Sequence, residues 1–137
     1  MTRKETALTK PLRCIAVVGA GIAGLSCATE LQQAGATVRI FEKSGGAAGR
    51  MSTRRGEDWQ CDHGAQYFTA RDPEFLAELK RWQQAGVAEL WTPRISVVSG
   101  ESPRDNAEHS AANMKQIDRF VGMPRMTAPG HWLADRL

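Results

Sequence analysis

The sequence has few residues that could build a metal centre, a disulfide framework or a membrane span. Its 137 residues include three cysteines and three histidines, and the cysteines at positions 14, 27 and 61 have none of the short spacings that hold a metal ion. An odd number of thiols predicts reduced cysteines and a cytoplasmic chain. No apolar run approaches the ~20 residues of a membrane span, and the polar first residues predict no signal peptide.

The two signs of charge are nearly balanced, which excludes a second group of functions. The chain has 18 basic and 15 acidic residues, for a net charge of +3 at pH 7. No stripe of basic residues with interleaved aromatics occurs, so neither a nucleic acid nor a membrane is expected as a partner. What the chain has in quantity is glycine, with 13 residues.

The most informative motif is a glycine turn that follows directly on an apolar run. Residues 12–18 are rich in β-branched side chains, which is typical of a buried parallel strand, and they lead into Gly19-x-Gly21-x-x-Gly24. Gly19 allows a tight turn, Gly21 lets a pyrophosphate approach, and Gly24 lets the next helix pack closely on the strand. The start of that helix then offers N–H groups to phosphates. The predicted phosphate-binding residues are Gly19, Ala20, Gly21, Ile22, Ala23 and Gly24.

A second strand that ends in an acid completes a strand–helix–strand unit. The helical period runs from Ile22 to Gln32, Gly35 is a plausible stop, and residues 37–42 form the second strand. Glu42 lies 18 residues after Gly24 (42 − 24), where a carboxylate accepts hydrogen bonds from a ribose diol. Because a carboxylate repels a 2′-phosphate, Glu42 favours FAD or NAD over NADP, although Lys43 beside it weakens this discrimination.

A second glycine-rich loop occupies residues 43–55 and contains Gly49, Arg50 and Met51. Arg50 can place its guanidinium over a pyrophosphate and make forked, charge-assisted hydrogen bonds. Arg54 and Arg55 are explained at least as well by solvated positions on the surface.

These motifs, together with Asp62-His-Gly-Ala-Gln-Tyr-Phe-Thr69, resemble the FAD-dependent amine-oxidase superfamily and most closely its renalase-type branch. The resemblance covers residues 13–70 and resumes at residues 119–126. It implies FAD as the cofactor, with Lys43, Gly49, Arg50 and Met51 near it and Gln66 and Tyr67 close to the flavin. It also implies a small reduced substrate, either a dihydronicotinamide isomer or an amine, and dioxygen as the electron acceptor. It identifies no catalytic residue.

The motifs and the resemblance together give a fold class and a division of the chain. The fold class is α/β, a Rossmann-like FAD/NAD(P)-binding βαβ domain that is incomplete at its C-terminus. Residues 1–11 are predicted to be a flexible tail, residues 12–70 the FAD-binding βαβ unit with the second glycine-rich loop, and residues 71–137 the start of a truncated substrate-side region. Such a piece would be marginally stable alone or depend on a second chain that completes the fold.

Three functions remain open from the sequence. The first is an FAD-dependent oxidoreductase that accepts a hydride and passes electrons to dioxygen. The second is a module that binds FAD or another nucleotide without turnover, because its substrate half is missing. The third is an NAD-dependent dehydrogenase, which the segment Gly49-Arg50-Met51 argues against.

The second half of the chain predicts further elements with less detail. Asp72-Pro73-Glu74 is a good helix start, Gly86 is the stop, and the apolar face carries Phe75, Leu79 and Trp82. Strands are predicted over residues 91–98 and 116–121, an exposed loop over 99–113 and a helix over 131–137. Buried positions are predicted for Cys14, Cys27, Met123 and Met126.

Overall fold

The computed structural model describes residues 14–94 and 117–137, so the predicted tail and the predicted loop over 99–113 lie outside the described residues. Within these two ranges, three helices and six strands follow in chain order. They are β1 (Ile15–Val18), α1 (Ile22–Gln33), β2 (Val38–Phe41), β3 (Thr53–Arg55), β4 (Gln60–Asp62), α2 (Pro73–Gln84), β5 (Ala88–Trp91), β6 (Arg119–Gly122) and α3 (Ala128–Ala134).

The predicted βαβ unit is confirmed. Strands β1 and β2 pair in parallel, with Ile15 opposite Val38 and Val18 opposite Phe41. Helix α1 crosses between them and buries Leu25 and Ala28. The helix ends before Gly35, which has the positive φ of +87° that favours glycine at this position. The Rossmann-like fold class inferred from the sequence therefore holds for this part of the chain.

A short antiparallel hairpin, which the sequence patterns do not predict, follows the second glycine-rich loop. Strands β3 and β4 pair Thr53 with Asp62 and Arg55 with Gln60. The turn closes with a hydrogen bond of 2.9 Å from the Gly56 N–H to the Trp59 carbonyl oxygen. Three-residue polar strands have no apolar alternation, so the usual pattern for a strand is missing here.

The second sheet pairs β5 and β6 antiparallel, with Ala88 opposite Gly122. Phe68 joins its edge through reciprocal backbone hydrogen bonds of 2.9 and 2.8 Å with Phe120. The predicted strand over 91–98 is wrong for residues 92–94, because β5 starts at Ala88 and ends at Trp91, and residues 95–98 lie outside the described residues. Pro93 lies two residues beyond Trp91, and a residue without an N–H cannot continue the ladder.

One apolar cluster joins the helices to the second sheet. Its buried members are Ala20, Leu25, Leu79, Trp82, Ala88, Phe120 and Leu133. Helix α2 begins as predicted, because the Asp72 carboxylate accepts hydrogen bonds of 2.9 and 3.0 Å from the N–H groups of Glu74 and Phe75. Helix α3 begins at Ala128, three residues before the predicted start at 131.

Three predicted burials are wrong. Cys14 and Cys27 are both exposed. Cys27 directly precedes the buried Ala28 on α1, and a helix turns about 100° per residue, so Cys27 points away from the core. Met126 is buried as predicted, whereas Met123 is 38% exposed.

Residues 14–94 and 117–137 contain neither a helix able to span a membrane nor a group of side chains able to hold a metal ion. None of the helices there combines the length and apolarity that crossing a membrane requires. No group of three or more His, Cys, Asp or Glu side chains in these ranges is arranged to hold a metal ion.

Candidate dinucleotide-binding site

The first glycine turn is held tightly between β1 and α1. Gly19 has a φ of +100°, and its N–H donates to the carbonyl oxygen of Phe41 at 2.7 Å. A Cβ added to Gly24 would overlap the Gly19 carbonyl oxygen and lie 3.1 Å from the Gly19 carbonyl carbon. The close packing of helix on turn that the motif predicts is therefore present.

The start of α1 is free of side-chain caps. Gly21 is the N-cap residue and no side chain accepts a hydrogen bond from the first turn. The N–H groups of that turn have no partner within the helix, and together with the helix dipole they favour a negatively charged group. This is the feature that a phosphate-binding turn requires.

Glu42 connects the two glycine loops. Its Oε2 accepts a hydrogen bond of 2.7 Å from the Ala20 N–H, and its Oε1 accepts one of 2.8 Å from the Ser44 N–H. The bonds from Ser44 and then Ala20 lower the pKa of Glu42 from 4.5 to about 2. The carboxylate is therefore ionised and fixed in orientation, and its remaining lone pairs can accept from the hydroxyls of a ribose.

The second glycine-rich loop packs directly on the first. The Ala48 N–H donates to the Ala20 carbonyl oxygen at 2.9 Å, and a Cβ on Gly49 would lie 3.1 Å from the Gly21 Cα. Ala48 is buried and has a φ of +91°, a conformation that costs an L-residue energy. The structure thus brings together the two loops that the sequence assigned to one cofactor.

Two cavities border these loops. One of about 330 Å³ brings the first turn together with the second loop. It is lined by Gly21, Ile22, Ala23, Ala48, Arg50, Met51, Phe68, Phe75 and Trp82. Arg50 forms an ion pair with no carboxylate among residues 14–94 and 117–137, so its guanidinium is available to an anionic ligand.

The other cavity, of about 540 Å³, lies beside Glu42 and Lys43. Thr127 and His131 from the last segment also line it, and sequence reasoning missed both. The buried Thr127 hydroxyl has no hydrogen-bond partner in the described part of the chain. No local signal marks these two residues, because they reach the cavity only through the packing of α3 on the Ala48 loop.

The segment that carries Gln66 and Tyr67 begins in contact with Arg50 of the second loop. The Ala65 N–H donates to the Arg50 carbonyl oxygen at 2.8 Å, and a Cβ on Gly64 would overlap that same oxygen. Gln66 and Tyr67 are exposed, and neither lines the two cavities described above. Their predicted position close to a flavin stays a prediction.

Asp62 and His63 hold the hairpin in place. The Asp62 carboxylate accepts a hydrogen bond from the Thr53 hydroxyl and another, of 3.2 Å, from the Met126 N–H. The ring of His63 lies 3.1 Å from the Ser52 hydroxyl through Nδ1. Asp62 therefore joins the hairpin to the segment before α3, and His63 has a structural partner.

Comparison with known proteins gives matches over the same part of the chain. Residues 17–82 match the family described as NAD(P)-binding Rossmann-like domain. An L-amino-acid oxidase of Sistrurus catenatus edwardsii is 44% identical over 59 residues, which are 43% of this chain and 11% of that protein. Protoporphyrinogen oxidase 2, chloroplastic/mitochondrial, of Arabidopsis thaliana is 39% identical over 60 residues, which are 44% of this chain and 12% of that protein.

A solved structure of wild-type putrescine oxidase bound to putrescine superimposes with a TM-score of 0.46 and 20% identity, over 75% of this chain and 25% of that chain. The chain thus spans a small part of each protein it matches. Residues 17–82 form an NAD(P)-binding Rossmann-like domain. The matches to these oxidases agree with the resemblance of this part of the chain to the FAD-dependent amine-oxidase superfamily. The renalase-type branch within it stays a prediction.

Replacing Glu42 by Gln is expected to lower the melting temperature near pH 7. A glutamine has one oxygen acceptor, so either the Ala20 or the Ser44 N–H would face an amide donor. Since folding lowers the pKa of Glu42, its stabilising effect is complete above about pH 4.5 and is lost as the pH falls towards about 2. The difference between E42Q and the unchanged protein should shrink over that window.

Thermal unfolding followed by circular dichroism between pH 2 and 7 measures this difference. The control is Glu57→Gln in the hairpin turn, where the described residues offer the carboxylate no hydrogen bond. A difference between E42Q and the unchanged protein that is constant over the whole range would contradict the role given to Glu42.

Proposed function

We propose that this chain binds FAD across its two glycine loops and forms the nucleotide-binding part of an oxidase. The observation that carries the proposal is the double acceptor role of Glu42, which fixes the first turn and the second loop relative to each other. A single dinucleotide carries both a ribose diol and a pyrophosphate. Glu42 follows the glycine turn at about the sequence separation that such a ligand requires, and it contacts that turn at Ala20.

The residues present fit this cofactor. The N–H groups at the start of α1 and the Arg50 guanidinium would hold the pyrophosphate. Gly21 and Gly49 leave no side chain between the two loops, so the backbone can approach the ligand closely. Glu42 would accept from the ribose of the adenosine end, and Lys43 lies beside it.

FAD, when bound, supplies the capacity to accept a hydride from a reduced substrate and to pass electrons to dioxygen. The chain's own contribution is to bind the nucleotide end, to hold its charge, and to present the Ala65–Tyr67 segment beside the second loop. The proposed substrate is a small reduced molecule, either a dihydronicotinamide isomer or an amine. The similarity to amino-acid and protoporphyrinogen oxidases supports an oxidase, and the second loop supports FAD over NAD.

Titration of the purified chain with FAD tests the proposal. Retained flavin is measured by its absorbance near ~450 nm after ultrafiltration. Arg50→Gln is expected to weaken FAD binding at least about tenfold, because hydrogen bonds between charged groups contribute about 1.5–3 kcal/mol. Arg54→Gln is the matched control, since Arg54 is exposed on β3 and lines neither cavity.

The outcomes separate the three functions. A chain that retains no flavin at saturating FAD contradicts the proposal, and preferential binding of NAD⁺ favours a dehydrogenase. Bleaching of the flavin absorbance by a dihydronicotinamide or an amine without oxygen indicates turnover. Retained flavin that no such substrate bleaches indicates a binding module.

A further inference from the structure

An arginine and two aromatic side chains form a cluster on the outer face of the second sheet. The guanidinium carbon of Arg119 lies 5.3 Å from the centre of the Tyr67 ring. The rings of Tyr67 and Trp91 are 5.8 Å apart between centres and tilted by 34°. Trp91 is also directly opposite Arg119 in the pairing of β5 with β6. These three residues are called the Tyr67 cluster.

The Tyr67 cluster is separate from the core. Phe68 and Phe120 pair on the inner face, with stacked rings 6.0 Å apart. Because side chains alternate along a strand, the neighbouring Tyr67 and Arg119 lie on the other face. Tyr67 is 42% exposed and Trp91 is 39% exposed. Large aromatic surfaces with this exposure add little to folding and are suited to contact a ligand.

Within the described part of the chain, no ion pair neutralises the charge of the cluster. Arg119 pairs with no carboxylate in the described ranges 14–94 and 117–137. Glu89 lies on the same face but opposite Val121 in the sheet register, and Asp118 precedes Arg119 in the chain. A guanidinium that lies over a ring keeps its in-plane N–H groups free, and these match the two oxygens of a carboxylate.

The cluster is close to the proposed cofactor site. Tyr67 is two residues beyond Ala65, whose N–H donates to the Arg50 carbonyl oxygen at 2.8 Å. Two extended residues span at most about 7 Å. The Tyr67 backbone is therefore near the loop that would hold the pyrophosphate.

We propose that the Tyr67 cluster is a substrate subsite that takes a planar ring bearing a negatively charged group, such as a carboxylate. This rests on the proposed oxidase function. Tyr67 and Trp91 contact the ring, and Arg119 binds the anionic group and repels cationic amines. Of the substrates proposed above, the subsite thus disfavours a simple cationic amine and favours a planar ring, such as a dihydronicotinamide, that carries an anionic group.

Calorimetric titration of the FAD-loaded full chain tests the subsite with three probes of similar size. These are nicotinate, a planar anion; nicotinamide, its neutral counterpart; and benzylamine, a cation. Nicotinate should bind most tightly. Arg119→Gln should weaken the binding of nicotinate about tenfold and change the binding of nicotinamide much less, because only the charge-assisted contact is lost. Tyr67→Ala should weaken the binding of both nicotinate and nicotinamide.

The matched control is Arg136→Gln. Arg136 also lies over a ring, with its guanidinium carbon 3.6 Å from the centre of Trp132, but outside the Tyr67 cluster. Its replacement should leave nicotinate binding unchanged. Circular dichroism and the FAD affinity of each variant show that it is folded and loaded. If Arg119→Gln is unfolded, Arg119→Lys takes its place. Lysine keeps the charge but lacks the planar fork, so a several-fold loss of nicotinate affinity is expected.

Failure of the subsite and failure of the proposed function are distinguishable. Nicotinate binding that is absent from the FAD-loaded chain, that survives the change at Arg119, or that is weaker than benzylamine binding overturns the subsite alone. An unchanged chain that cannot be loaded with FAD overturns the proposed function, and with it the role of the cluster as a substrate subsite.

Discussion

Gly24→Ala is expected to abolish FAD binding and to lower the melting temperature markedly. The added methyl group would overlap the Gly19 carbonyl oxygen and come within 3.5 Å of the Val17 side chain. The overlapped atom belongs to the backbone of a turn whose N–H is bonded to Phe41, so it cannot rotate away. Either α1 moves off the sheet or the turn opens, and overpacking of this kind costs about 1–3 kcal/mol or more.

A cost of that size is a large fraction of the 5–15 kcal/mol or so that stabilises a domain. Thermal unfolding by circular dichroism measures it, and ultrafiltration with FAD at low temperature measures the loss of binding in the fraction that stays folded.

The control for stability is Gly45→Ala in the second loop. No atom lies within 4 Å of a Cβ at Gly45, and its φ is not in the left-handed region. Its change in stability should stay within about 0.5 kcal/mol. Equal melting temperatures for G24A and G45A would show that the close approach of helix to turn is not what Gly24 provides.

The first half of the fold was predictable because several local signals agree there. An apolar β-branched run, a glycine turn, a helical period and a strand that ends in an acid all fit one βαβ unit. The structure puts the elements within a few residues of the predicted bounds. It also shows Glu42 where the spacing from Gly24 indicates, at the end of β2.

The hairpin and the part of the candidate site that α3 lines depend on contacts between distant parts of the chain. A local sequence pattern does not contain such contacts. His131 comes within reach of Gly46 although the two are 85 positions apart in the sequence (131 − 46), with 3.8 Å between its ring carbon and a Cβ built on that glycine. The hairpin is held by Asp62, whose second partner is Met126. The positive φ of Ala48 is likewise imposed from outside, because α3 and the first turn both pack against it.

The exposed position of Cys27 shows that a local pattern also fails to decide which side of helix α1 is buried. Residues 22–32 are apolar or small over most of their circumference, so the sequence does not decide which side faces the sheet. Packing against β1 and β2 selects the side with Leu25 and Ala28. The weak apolar asymmetry of α1 contrasts with α2, where Leu79 and Trp82 define the buried face clearly and the prediction is confirmed.

Trp82→Ala is expected to destabilise the chain by about 3–5 kcal/mol, the usual cost of removing a buried aromatic side chain. Trp82 is 2% exposed and meets the rings of Phe68 and Phe75 edge to face, at 6.0 and 5.7 Å between centres. Its indole N–H donates to the Glu78 carboxylate at 2.8 Å. Urea unfolding followed by circular dichroism gives the change in the free energy of unfolding.

Trp59→Ala is the matched control, because Trp59 is 55% exposed on the hairpin and its removal should cost less than about 1 kcal/mol. Trp82→Phe should fall between the two, since it keeps an aromatic ring and loses the hydrogen bond to Glu78. A smaller loss for W82A than for W59A would show that the cluster around Trp82 is not the core.

Trp82 also connects stability to the proposed cofactor site, because its side chain lines the same cavity as Gly21 and Arg50. A ligand present at 100 times its Kd stabilises the folded state by about 2.7 kcal/mol. If that cavity is part of the FAD site, W82A should bind FAD more weakly and gain less stability than W59A at the same FAD concentration. Equal gains in stability from FAD for W82A and W59A would place FAD elsewhere on the glycine loops. Removal of the Trp82 indole would then have changed the core and left the contacts with FAD intact.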